Sequence, residues 1–168
     1  MRIVTIGGLI LIIHILQSTL FNLIRINNIA PNFFVMIIVS FSLLRGSKEG
    51  AIMGLFAGIL YDLSFGTTVG FAFSYMILGF LCGRLTPNFY RENFILPFVC
   101  TFLGDLFINS FIVIALILRG ETNIIYFFKE IIVPEIIYTN ALTIFVYQIS
   151  YKINLKIEQV EKRTRNIF

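Results

Sequence analysis

The sequence predicts an all-α integral membrane protein, a compact bundle of about six transmembrane helices. Three observations lead there. Hydrophobic residues fill 58% of the 168 positions against 13% charged, with a mean hydropathy of +0.91, which is too apolar for a water-soluble globular domain. Apolar runs of roughly bilayer-spanning length follow one another with only short polar breaks. The third run carries Gly50, Gly54 and Gly58 four residues apart and ends on Asp62. Glycines at that spacing let helix backbones touch in lipid, and an acid there needs a partner.

The spans fall at about 3–24, 29–44, 49–66, 69–86, 94–118 and 131–150. Arg2 precedes the first, whose apolar run is too long for a signal-peptide core and lacks a small-residue cleavage site, so it reads as an uncleaved helix. The second is short, and Pro31 suits its first turn, where a missing N–H is harmless. It must stand untilted, thin the bilayer locally or be partly re-entrant. The segment Tyr126–Glu130 reads as an interfacial turn, with Pro134 opening the last helix. Residues 1–150 thus form one polytopic membrane domain and residues 151–168 a basic cytoplasmic tail.

Charge orients the bundle. With the N-terminus inside, Arg2, Arg45, Lys48, Arg84, Arg91, Lys152, Lys156, Lys162, Arg163 and Arg165 are cytoplasmic. Only Arg25, Arg119 and Lys129 of the 13 basic residues lie outside, as the positive-inside rule requires. Both termini are then cytoplasmic. The tail continues as a helix with Ile153, Ile157 and Val160 on one side. It suits anionic lipid or a protein partner equally. The net charge of +4 is scattered over loops and tail, which excludes a nucleic-acid footprint.

Polar residues inside the spans are the candidates for function. Gly50, Gly54, Gly58 and Asp62 make one stripe on the third span, and Gly79 and Gly83 repeat the device on the fourth. Two roles are open to Asp62: capping the start of the next helix through its N–H groups, or holding a ligand or cation. Asp105 sits near the middle of the fifth span with Asn109 on the same face. A bare carboxylate costs several kcal/mol at that depth. His14 and Gln17 of span one and Asn140 of span six are its expected partners, while Glu135 suits the first turn of the last helix. Cys82 and Cys100 read as small buried hydrophobes. With a single histidine and no phosphate-binding, hydrolase or dinucleotide motif, neither catalysis, a cofactor nor a metal site is expected.

Several of these segments resemble the MreD family of bacterial rod shape-determining proteins. They are Gln17-Ser18-Thr19, the Pro31-Asn32 opening, the run from Leu43 to Gly66 and the close of span four from Gly79 to Leu85. The family usually has Asp after that proline, and Asn32 replaces it here. The resemblance implies a non-catalytic scaffold of the cell-elongation machinery. It would bind a single-span MreC-type protein and link a RodA-type glycosyltransferase and a class B penicillin-binding protein, which build peptidoglycan, with the MreB cytoskeleton. It also implies the general architecture of the substrate-binding S components of energy-coupling-factor transporters.

Two other functions are weighed against that. An S component capturing a vitamin would need polar or aromatic groups in its outer loops. Here only Arg119, Glu121, Asn123, Tyr126 and Lys129 offer any richness. A proton-linked transporter or membrane enzyme would require Asp105 and Glu135 to converge on a water-filled cavity.

Overall fold

The computed structural model describes Gly8 and residues 29–65, 70–86, 94–118, 120 and 123–165. The first predicted span, including His14 and Gln17, lies outside the described residues apart from Gly8. The described elements are α1 (Phe33–Arg45), α2 (Ser47–Phe65), α3 (Gly70–Arg84), α4 (Ile95–Leu118), α5 (Ile124–Phe127), a π-helical turn (Phe128–Ile132) and α6 (Val133–Arg165). Their bounds follow the predicted third, fourth and fifth spans closely. Two helical stretches, Ile95–Leu118 and Ile124–Val160, are long and apolar enough to cross a membrane, whereas α1 and α3 are apolar but shorter.

The second span begins later than expected. Pro31 precedes the helix, and Asn32 is its N-cap, accepting from the Val35 N–H at 3.3 Å. An asparagine side chain fills the N-cap role well, because its oxygen accepts an N–H that the helix itself leaves unpaired. The 13-residue α1 is only ~20 Å long. It is buried almost throughout, with Val35, Met36, Val39 and Leu43 wholly inaccessible. It is therefore the central rod about which α2, α3, α4 and α6 pack.

α1 and α2 are joined by one residue, Gly46, at φ 95°. Its N–H closes α1 on Ser42 O at 2.8 Å, and its own carbonyl receives Gly50 N–H at 2.9 Å as α2 begins. The left-handed backbone explains the glycine.

α2 and α3 form the tightest pair. A Cβ on Gly54 would run into the Tyr75 carbonyl, one on Gly58 into Ala72 and one on Gly79 into Gly50. Gly83 meets Ser47 in the same way. Both glycine sets thus face each other within one chain, and van der Waals contact over that length replaces the hydrophobic drive that lipid cannot supply. Thr86 fastens the far end, its hydroxyl donating toward Ser42 O at 3.0 Å and Gly83 O at 2.9 Å. Cys82 and Cys100 are free thiols, both buried, and they meet where α3 packs on α4.

The last helix departs from expectation. Chain 124–165 is helical without a break, so Pro134 does not open a helix and the segment Tyr126–Glu130 is not a turn. Proline is accommodated because a π-helical turn precedes it, with Val133 N–H bonded to Phe128 O. The ordinary ladder is already interrupted where the prolyl nitrogen lacks its hydrogen. Glu135 therefore lies within a continuous helix and has no free helix N-terminus beside it. The helix runs on through Tyr151 into the tail, as expected, and Asn154 is buried beyond the predicted span end. Ile153 packs on the core, whereas Val160 is exposed.

Candidate functional site

A polar junction lies at the N-terminal end of α1. Asn32 occupies it because the helix must be capped there, and its remaining atoms reach three other helices. Its backbone N–H donates to Thr139 Oγ1 of α6 at 3.0 Å, and its side-chain amide donates to Asp105 Oδ1 of α4 at 3.2 Å. From α3, the Tyr75 hydroxyl points at Asn32 Oδ1 from 3.5 Å, a long contact. Asp105, Thr139 and Tyr75 are wholly buried, and Asn32 is 8% exposed. Thr139 also lies beside the Asp105 carboxylate. Asp105 is thus not bare. Its partners are Asn32 and Thr139, in place of Asn140, whose amide donates along its own helix to Ile136 O at 3.0 Å.

An aromatic cluster packs over this junction. Tyr61 of α2 stands 5.7 Å from Tyr75, 4.9 Å from Phe71 and 6.1 Å from Phe34 between ring centroids. Such tilted and edge-on pairs add to area burial and hold the rings in place. Half-buried Glu135 feels the charge of Asp105 and acts in turn on Tyr61. Asn109 Nδ2 donates to Asp105 O at 3.0 Å, one turn along α4.

Asp62 stands apart from that junction. Its Oδ2 accepts from Ala72 N–H at 3.0 Å, near the start of α3. A carboxylate supplied from α2 thereby satisfies an amide that no helical carbonyl can reach, at the positive end of the dipole.

At the opposite end of α1 a second network joins α1, α2 and α6. Arg45 Nε donates to Asn154 Oδ1 at 2.7 Å and its Nη1 to Glu49 Oε2 at 2.8 Å. Asn154 Nδ2 then donates to Glu158 Oε1 at 2.9 Å. Asn32, Thr139, Tyr75 and Asn154 were not anticipated as site residues. A Pro-Asn pair before an apolar run is an N-cap signal. Glu135, Thr139 and Thr143 recur every fourth residue on α6, which marks a polar face.

Buried acids and amides joined across apolar helices, among the described residues, define a helical bundle whose polar groups hold its own helices together, with two helices long and apolar enough to cross a membrane. The chain belongs to the rod shape-determining protein MreD family, which it matches over residues 2–156. That membership carries a role in determining rod shape. No individual curated protein and no solved structure is similar enough to the chain to add to this.

Proposed function

We propose that the chain is a non-catalytic, multi-pass scaffold of the bacterial cytoplasmic membrane, with both termini in the cytoplasm. It binds an MreC-type single-span protein and, directly or through it, connects a RodA-type glycosyltransferase and a class B penicillin-binding protein with MreB. Family membership supports the cell-shape role. The observation that carries the scaffold reading is Asn32, whose bonds reach α4 and α6 while its cap starts α1. Its polar atoms serve cohesion between helices. The arrangement of Arg45, Arg84, Lys152 and Lys156 at one end of the described bundle favours that end as cytoplasmic. The vitamin-binding S component receives no support from the family match, and neither the six-span count nor its architecture is needed for the scaffold.

Capture of the tagged protein from native membranes in mild detergent, followed by mass spectrometry, tests the proposal. Recovery of an MreC-type protein with cell-wall synthases is expected. Recovery of paired ATPases with a coupling subunit would overturn it.

A further inference from the structure

Two thiols face each other where α3 packs on α4. Gly104 fixes the register of that contact, because a Cβ there would run into Leu78 Cδ1. Cys82 lies one turn beyond Leu78 along α3, and Cys100 one turn before Gly104 along α4. In an antiparallel pair those steps lead to the same level, and the Cys82 and Cys100 side chains interact directly there. Both residues are buried, at 6% and 7% exposure. They are the only cysteines of the chain.

A single buried cysteine is accounted for as a small hydrophobe. Two in contact across a helix interface hold the parts of a disulfide. Thiol and disulfide are both uncharged, so their exchange leaves no ion behind in an apolar contact, where a charge would be costly. The surroundings also select the oxidant. Leu81 and Val99, the chain neighbours of the two cysteines, are exposed on the apolar outside of the bundle. Such a surface meets lipid and favours an apolar oxidant over a water-soluble one.

We propose that Cys82 and Cys100 form a reversible disulfide that ties α3 to α4, with a membrane-dissolved quinone as the oxidant. Each thiol gives up its hydrogen and the S–S bond forms. The quinone takes the two electrons and two protons and becomes the quinol. A dithiol reverses the step by thiol–disulfide exchange. The bond falls where a covalent link adds most. α2 and α3 are already locked by facing glycines, whereas α3 meets α4 over a much shorter contact. The device rests on the membrane placement of the bundle and not on which partners the scaffold binds.

The test uses membrane vesicles carrying the full-length protein, treated with decylubiquinone, then denatured and exposed to a maleimide. Both thiols should take up maleimide before treatment and neither afterwards. Non-reducing digestion should recover the Cys82 and Cys100 peptides joined, and dithiothreitol should restore both thiols. The oxidised protein, extracted in detergent, should unfold at a higher midpoint than the reduced one. Cys82→Ser and Cys100→Ser should each keep the remaining thiol reactive under the same treatment. Loss of that thiol in either variant would mean a quinone adduct and would overturn the proposal. So would two reactive thiols surviving in the unchanged protein, a disulfide between two copies of the chain, or equal midpoints.

Discussion

Asn32 donates its side-chain amide to Asp105 Oδ1 at 3.2 Å across 73 positions of sequence. The bond explains why an amide, and not a second acid, suits position 32 in this chain. Asn32 must accept at one atom, to cap α1, and donate at another, to meet the buried carboxylate. Aspartate can only accept. Asn32→Asp should therefore keep the cap, lose the donor and set two carboxylates against each other. Removing one partner from such a buried contact costs about 3 kcal/mol. For a chain of this size that is a fall in midpoint of roughly 10 °C, read by thermal unfolding in detergent. A midpoint equal to that of the unchanged protein would show that Asn32 is not the partner of Asp105.

The α2–α3 interface should tolerate nothing larger than glycine at its centre. A side chain at Gly54 meets the Tyr75 backbone, which belongs to a packed helix and cannot yield as a flexible side chain would. Gly54→Leu should reduce the folded protein recovered from membranes severely, and Gly54→Ala measurably. Gly70 faces open space, so Gly70→Ala is the control and should leave recovery unchanged. Equal recovery of all three variants would refute the packing.

Asp62 acts through an acceptor oxygen and not through its charge alone. Asp62→Asn, which retains an acceptor, should lose less stability than Asp62→Ala, which leaves Ala72 N–H unpaired. The alanine change should cost about 1–2 kcal/mol, as cap removals do. Denaturant titration in mixed micelles would rank the two, and the opposite ranking would remove the capping role.

Arg45 holds α6 through the fork of its guanidinium, with Nε on Asn154 and Nη1 on Glu49. Lysine has a single ammonium and cannot reproduce that geometry. Arg45→Lys should free the end of α6, seen as faster trypsin cleavage at Lys152 or Lys156 with the core fragment intact. Cleavage at the original rate would mean that Arg45 does not dock the helix.

The long apolar runs of α4 and the last helix were legible because length and hydropathy alone define them. So was the glycine spacing that brings α2 onto α3, since a four-residue repeat fixes a face whatever the partner. The partner of Asp105 was not legible. Its position on a mid-span face says that a donor is needed but not from which helix. Asn32 does not stand out as a site residue in the sequence, because Pro31 suggests a helix already begun. Pro134 misled for a related reason: a proline looks like a helix start unless the preceding turn is wide enough to take it. The Arg45–Asn154 contact spans 109 positions, and no local pattern encodes it.

On the scaffold reading proposed above, the protein acts by binding and not by chemistry at its buried acids. Asp105→Asn tests it most directly. The amide keeps the shape and the acceptor for Asn32 while removing the carboxylate. In rod-shaped cells depleted of the native protein, the account predicts that the variant, at equal membrane level, restores cell width and recovers the MreC-type partner as fully as the unchanged chain. Round cells with the variant present at that level and the partner still bound would contradict it, placing the function in the chemistry of Asp105.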